Sequence, residues 1–549
     1  MMLARPLRLL CLFFLFVILP LGLRPLWIPD EARYAEIARE MLASGNWVVP
    51  QLLGMHYFEK PVGGYWFNAL SQAAFGPSLF AARLPVALAT AASTLMVGML
   101  AHRLWRDTRK TAIAMLVYSS FALVSGLALY ITLDSQLACW LNLALLSFHV
   151  AITAAAPRHR LAAWVVLGAA CGMAFLTKGF VGWVVPLLVV CGYMAWQRRW
   201  AQLLPYGGLA ALVAVAVAAP WALAVQRQAP DFWNFFFWNE HVRRLAASDA
   251  QHGRPFWFYL PVLILGCLPW LGLLPGAARR AWAERRHPAV GLLLLWLLLP
   301  LAFFSLARGK LPTYILPCFT PLALLLVPAL ADSPGPGADR GRKANAAING
   351  LVGVTALLAL LLARRMEIFD ANDRAAWLCA MAVGMAWLLV ALVQWRRPGP
   401  SWELSALPMW LLWASAAWLL PQDQIDSKQP SMFIQSHRQT LDEAEFLLAN
   451  DAGLAANLAW ELARTGITAY GQLGELQYGL STAAGARRFV SRQEVATWIA
   501  AARRQGDVAV VLRVRGPGDP DLTALPPGAS KQDLRARLAL VFYSRLPPA

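Results

Sequence analysis

Charge is scarce in this chain, and acid is the scarcer sign. Of 549 residues only 14% are charged, with 30 Asp and Glu against 48 Lys and Arg, while 59% are hydrophobic. A soluble chain needs more polar surface than that. The shortage excludes a soluble enzyme with one anchor and leaves a mostly α, polytopic membrane protein. Metal-ligand spacings are missing too. The seven cysteines (Cys11, Cys139, Cys171, Cys191, Cys267, Cys318, Cys379) all fall in apolar runs, and none pairs at a spacing that would hold a metal, which argues against a disulfide framework or a structural zinc site. Leu9 to Leu23 follows Arg5 and Arg8 without a small-residue cleavage site before the charged loop, so it reads as a retained first span. A transporter would be expected to show internal repeats and ionisable residues at mid-span; here no repeat is evident and most ionisable residues sit at span ends. The net charge of +18 belongs to basic loops and is no sign of a nucleic-acid partner.

What is present is a ladder of apolar runs. Runs near residues 5–23, 78–101, 111–129, 135–156, 161–177, 180–196, 203–225, 256–276, 289–306, 312–330, 345–363, 375–394 and 402–420 predict thirteen spans. With the N-terminus inside, every inside loop is basic and nearly free of acid, as at Arg103 to Lys110, Arg279 to Arg286 and Arg340 to Lys343, the positive-inside pattern. The outside loops carry both signs together with tyrosine and histidine. Residues 1–420 thus read as a membrane domain, and 421–549 as a small outer α/β domain. In it Leu441 to Thr465 and Ser491 to Gln505 predict helices, the second with a Ser491 and Glu494 capping box, and Val508 to Val514 and Leu538 to Tyr543 predict strands.

The first outside loop, within 24–77, holds the densest charge. Pro29 followed by Asp30 and Glu31 is a helix start, with carboxylates where free N–H groups and the helix dipole favour them. Tyr34, Ile37, Ala38, Met41 and Leu42 recur at helical spacing and Gly45 is a stop, so the segment predicts an interfacial helix lying flat with its apolar face down. Glu59 and Lys60 precede Pro61, which biases them to an extended segment. An N-cap with solvated acids would be the bland account of Asp30 and Glu31. The company of Arg33, Tyr57, Glu59 and Lys60 in a chain poor in charge favours a site.

Lys178 stands between two spans with no acid near it in sequence, where it could snorkel or meet a lipid phosphate. Asp134, before Ser135, is either a helix cap or a second carboxylate on that face. In the loop 226–255, Glu240-His241-Val242-Arg243-Arg244 gives a histidine flanked by an acid and two arginines. A lone histidine more often makes a structural hydrogen bond than binds metal, but for a divalent ion, zinc or magnesium, Glu59 and His241 are the first-choice ligands. Arg308, Lys310 and Tyr314 form a basic and aromatic cluster on the outside, against the usual charge bias, and an anionic ligand would account for it.

Asp30-Glu31-Ala32-Arg33-Tyr34-Ala35-Glu36-Ile37-Ala38-Arg39-Glu40-Met41, then Gly45-Asn46-Trp47-Val48-Val49-Pro50, Tyr57-Phe58-Glu59-Lys60-Pro61 and Tyr65-Trp66, resembles the lipid A 4-amino-4-deoxy-L-arabinose transferases. Leu176-Thr177-Lys178-Gly179 and Arg308-Gly309-Lys310-Leu311-Pro312 support the match; Val62-Gly63-Gly64 departs from it, where a second proline and a bulky apolar residue are expected. The resemblance implies a GT-C membrane glycosyltransferase related to the protein O-mannosyltransferases. Its donor would be undecaprenyl phosphate-linked aminoarabinose and its acceptor a lipid A phosphate, at the periplasmic face of the bacterial inner membrane, with polymyxin resistance as the consequence. The partners would be those two lipids and the surrounding membrane lipids. Asp30, Glu31, Arg33, Lys60 and Asp134 are then the catalytic candidates, and Tyr57, Lys178, Arg243, Arg308, Lys310 and Tyr314 the substrate-binding ones. Another polyprenyl-phosphate sugar transferase, acting on protein or lipopolysaccharide core, is the nearest alternative, and a lipid-linked sugar flippase is the alternative without chemistry.

Overall fold

The computed structural model describes residues 11–238, 253–331, 336–399, 401–472, 474–482 and 485–547. The chain divides into two compact units, one made of Met1–Leu21 and Arg83–Leu419 and the other of Gly22–Ala82 and Leu420–Ala549. The charged loop 24–77 therefore groups with the C-terminal segment, a different partition from a cut at 420.

The first unit is helical. Among the described residues eight helices are long and apolar enough to cross a membrane, or nine if Phe256–Gly266 and Leu271–Ala283, bent by 109°, count as one span. Cys11–Gly22 and Val181–Trp196 are shorter apolar helices. Thirteen uninterrupted spans are not what forms, and the reason is visible at two places. The run 111–129 is broken at Phe121, between Thr108–Ser120 and Ala122–Leu127. The groups freed by the break find partners on other elements: Trp410 Nε1 donates to the Ser119 carbonyl at 3.1 Å and the Ala122 N–H donates to the Leu268 carbonyl at 2.8 Å. Only such partners make a break tolerable inside an apolar layer. The run 402–420 is likewise divided into turns and the short helix Ala406–Ala414.

Small residues draw the long helices together. A Cβ at Gly168 of Pro157–Lys178 would meet the Ala210 carbonyl at 2.4 Å, and one at Gly172 would meet Val217 Cβ at 2.7 Å, both on Trp200–Gln228. A glycine every fourth residue lets two backbones approach to van der Waals contact. The core runs through Leu141, Leu145, Phe148, Trp164, Trp296 and Phe319.

The second unit is built on a six-stranded sheet. Its order is β5-β4-β3-β6-β8-β7, with β3 Phe446–Ala449, β4 Ile467–Tyr470, β5 Phe489–Val490, β6 Val508–Arg513, β7 Lys531–Arg535 and β8 Leu538–Tyr543. The four strands from β5 to β6 are parallel, and β8 and β7 complete the sheet antiparallel. Val508 to Leu512 are wholly buried, the signature of a strand covered on both faces. Within the predicted helix 441–465 the chain makes β3 and then the helix Ala452–Leu462; a short apolar run carries no period to separate strand from helix. Ser491 and Glu494 do bond each other, Oγ to Oε2 at 2.6 Å, and the helix follows at Val495–Ala502.

The same unit carries the helix Asp30–Ser44, ended by Gly45 at φ 68°, and a small hairpin of β1 Gln51–Leu52 and β2 Met55–His56. The helix has no free polar face: Glu31, Arg33, Glu36 and Glu40 are as buried as Ala32, Ile37 and Ala38. Buried charge on a short helix survives only if each group is paired, and here each is.

Candidate active site

In the membrane unit the sequence-distant pair Asp134 and Lys178 meets. Leu133–Thr153 begins on Thr132 and places Asp134 in its first turn; Pro157–Lys178 ends on Lys178, where Gly179 at φ 75° turns the chain away. Lys178 Nζ donates to Asp134 Oδ1 at 2.6 Å, 44 residues away, and lies 4.8 Å from the centroid of the Tyr314 ring. Asp134 is thus the partner that Lys178 lacks in its own stretch of sequence. Tyr314 comes from the 3-10 turn Pro312–Cys318 and packs against Phe304 at 5.8 Å. Tyr259 lies within electrostatic reach of both Tyr314 and Asp134. The hydroxyls of Tyr259, Thr132 and Thr313 are buried and have no hydrogen-bond partner among the described residues. Buried hydroxyls are almost always satisfied, so these three groups on or beside the cluster are open to a ligand or to water.

In the other unit the first loop makes three ion pairs of two kinds. Glu31, with no exposed surface, takes both guanidinium nitrogens of Arg24 at 2.7 and 3.0 Å and the Trp27 N–H at 2.9 Å. Glu36 takes Arg39 at 2.6 and 2.7 Å, and Glu40 accepts the Leu53 and Gly54 N–H groups at 2.5 and 2.8 Å, holding the hairpin turn. These are fastenings. Burial pushes Glu36 up to about 8 against the pull of Arg39, and raises Glu40 as well. Asp30 differs, because its carboxylate is 37% exposed while it accepts from Arg33 Nη2 at 2.5 Å. Arg33 is buried, pairs also with Glu475, and has the rings of Tyr34 and Tyr57 at 5.1 and 5.9 Å. Burial would lower Arg33, but Tyr57, Tyr34, Asp30 and Glu59 hold it well above its usual range; burial raises the Tyr57 phenol. Arg33 Nε has no hydrogen-bond partner among the described residues. Tyr57 donates to Glu475 Oε2 at 3.4 Å.

Pro29, which starts this helix, rests where open parallel sheets ordinarily take ligand, at the carboxyl end of the strands where the winding reverses. β3 ends there and Asp451 caps Ala452–Leu462 through the Leu454 N–H at 2.9 Å. A Cβ on Gly453 would come within 2.6 Å of Pro29 Cα. The sheet's crevice thus receives the segment that carries Asp30.

The remaining expected residues fall elsewhere. Lys310 is buried and donates to the Arg254 carbonyl at 3.0 Å and to that of Ala307, so it staples a loop. Arg308 is exposed, its carbonyl accepting from the Arg254 N–H at 3.2 Å. Lys60 Nζ donates to the Glu59 carbonyl at 2.7 Å, and Glu59 is buried. His241 and Arg243 lie outside the described residues. Among the described residues no three His, Cys, Asp or Glu side chains assemble into a metal-binding group, and with His241 outside them no step is derived through zinc or magnesium. Sequence reasoning missed Glu475, Tyr259 and Arg24. Arg24 was visible as the one cation between the first apolar run and the helix; Glu475 sits in a segment without other chemistry, and Tyr259 in an aromatic-rich span.

Residues 3–236 match the dolichyl-phosphate-mannose-protein mannosyltransferase family, and 425–542 match the arabinosyl transferase ArnT, C-terminal domain. The mostly helical membrane unit is that of an integral-membrane glycosyltransferase. The undecaprenyl phosphate-alpha-4-amino-4-deoxy-L-arabinose arabinosyl transferase of Pseudomonas aeruginosa (strain UCBPP-PA14) is 47% identical over 98% of both chains, and that of Aeromonas salmonicida (strain A449) 45% over 97% of both. The crystal structure of ArnT from Cupriavidus metallidurans bound to undecaprenyl phosphate matches with a TM-score of 0.82 and 27% identity, covering 98% of this chain and 97% of that one. The chain belongs to the undecaprenyl phosphate-alpha-4-amino-4-deoxy-L-arabinose arabinosyl transferase family, and is a multi-pass membrane enzyme.

Proposed function

We propose that this chain moves 4-amino-4-deoxy-L-arabinose from undecaprenyl phosphate to phosphate groups of lipid A, at the periplasmic face of the inner membrane. The reading of the acceptor and the face rests on the family, the one-sided placement of polar residues in sequence and the basic inside loops. Thirteen passes, with the broken runs 111–129 and 402–420 crossing as well, place the C-terminus outside.

The observation that carries the chemistry is the Lys178 and Asp134 pair over Tyr314. In the transfer an acceptor phosphate oxygen attacks the anomeric carbon, the bond from that carbon to the carrier phosphate breaks, and the electron pair leaves on undecaprenyl phosphate. An anionic phosphate is already a nucleophile and requires no base, so the work lies in meeting charge on the departing phosphate. Lys178, fixed by Asp134, supplies a positioned cation for this. Asp30, held by Arg33 and still open to solvent, is the candidate carboxylate of the charged loop, whose loss is expected to cost transfer. Another polyprenyl-phosphate sugar transferase would use a carboxylate as base toward a hydroxyl.

The test is mass spectrometry of lipid A from a polymyxin-sensitive strain without its own transferase. The parent chain is expected to add one aminopentose to lipid A and Asp30→Ala none. Unmodified lipid A with a folded, inserted parent chain would overturn the assignment of donor and acceptor.

A further inference from the structure

The membrane unit holds a second polar site, which the transfer reaction does not use. A cavity of about 250 Å³ lies where Leu79–Trp105 ends, Thr108–Ser120 begins, Leu274–Ala283 ends, Pro288–Leu306 begins and Phe319–Ala331 ends. The last two helices fix its place relative to Lys178 and Tyr314. Pro288–Leu306 starts at the cavity and runs toward the turn Pro312–Cys318 that carries Tyr314, and Phe319–Ala331 returns from that turn to the cavity. Nineteen helical residues cover about 28 Å, so the cavity opens at the other end of the same helices, toward the opposite leaflet.

Its polar lining is Lys110, Arg280, Glu284 and His287; the rest, including Trp105 and Leu325, is apolar. Arg280 Nε and Glu284 Oε1 pair at 3.0 Å, leaving Lys110 as the unbalanced charge. Lys110 is half-buried, its Nζ 5.8 Å from the Trp105 ring centroid, and it makes no ion pair among the described residues. The nearby acid, Asp107, is turned to the backbone, where it caps the helix by accepting the Arg109 N–H at 2.7 Å and the Lys110 N–H at 3.2 Å. One net positive charge matches one phosphodiester. At roughly 30 Å³ per water the space equals about eight waters, enough for a phosphate and a few headgroup atoms but not for acyl chains, which would lie along the apolar walls. A basic recess between spans at a membrane surface is the setting in which anionic lipid headgroups are held.

We propose that the cavity beside Lys110 and Trp105 binds the phosphate headgroup of an anionic phospholipid from the leaflet opposite the Lys178 cluster. The ligand is a phosphodiester with one negative charge, taken from the bilayer and not from solution. Neither Lys110 nor Arg280 belongs to the transfer site, so the two activities separate.

The experiment is native mass spectrometry of the full chain in detergent, titrated with phosphatidylglycerol or phosphatidylcholine, for the parent, Lys110→Gln and Lys110→Glu. The parent is expected to retain one phosphatidylglycerol beyond the phosphatidylcholine level, bound at least tenfold tighter than by either variant, while transfer by Lys110→Gln stays within threefold of the parent. Lys110→Gln keeps the test open if the charge reversal does not fold. Equal retention by parent and Lys110→Gln would overturn the proposal. Displacement of the lipid by millimolar glycerol phosphate or inorganic phosphate would also overturn it, by showing a site for free phosphate.

Discussion

Two kinds of buried ion pair occur in this molecule, and they differ in what surrounds them. Arg24 with Glu31, and Arg39 with Glu36, are closed: the carboxylates have no exposed surface and the bonds are two-pronged. Lys178 with Asp134, and Arg33 with Asp30, are open. Beside the first of these stand hydroxyls without partners, and in the second Asp30 reaches solvent while Arg33 Nε is unpartnered among the described residues. A closed pair fixes the chain, and its loss destabilises the fold. An open pair leaves directed polar groups for something else to meet, and its loss affects chemistry.

The contrast is most easily broken in the membrane unit. Lys178→Met is expected to lower transfer per folded molecule by about 10²- to 10³-fold, the range for removing one positioned donor from a charge-developing site, beyond any loss of stability from leaving Asp134 buried. An unchanged rate would make the pair a fastening like the others. Arg24→Met should act the other way. It leaves Glu31 buried and unpaired, a cost of about 3–5 kcal/mol that shows as a fall in melting temperature and yield, with transfer per folded molecule within a few-fold of the parent. Gly453→Val pushes a side chain onto Pro29, so it should lower transfer by roughly tenfold together with a moderate loss of thermal stability, the backbone having to shift to relieve the overlap.

The smallest expected effect concerns pH. Burial outweighs Arg39 and raises Glu36 to about 8, so below that pH the pair is Arg39 hydrogen-bonded to a protonated acid and only above it a full ion pair, whereas an unfolded chain releases the proton in the ordinary carboxylate range. The folded form thus binds more protons between these limits, so this group's contribution to stability falls as pH rises from about 5 to about 8. Thermal melts across that window should show the decline in the parent and a flatter profile in Glu36→Gln; parallel profiles would contradict the closed, desolvated reading of that pair.

Much of this was legible in sequence, and the limits have physical causes. Apolar length and basic loops revealed a polytopic helical chain, but hydropathy does not register a break whose freed backbone is bonded by Trp410 and Leu268, so 111–129 read as one span. The charged loop announced itself by contrast with its surroundings. Its residues could not be sorted, because Asp30 and Glu31 differ only in which way the helix turns them: one toward Arg33 and solvent, the other inward to Arg24. The meeting of Asp134 with Lys178 depends on how two helices pack, which no local pattern encodes. Lys310 read as a cation waiting for an anion, because no local pattern reveals that it donates to the carbonyls of Arg254 and Ala307.

The most direct measurement sets those two adjacent carboxylates against each other. Asp30→Asn and Glu31→Gln each remove one charge with almost no change of shape. Transfer per folded molecule and melting temperature would be measured for both. Asp30→Asn should melt like the parent and lose most transfer, and Glu31→Gln should melt well below it and retain transfer. The reverse pattern, an active Asp30→Asn beside a stable but inactive Glu31→Gln, would contradict the division into open and closed pairs.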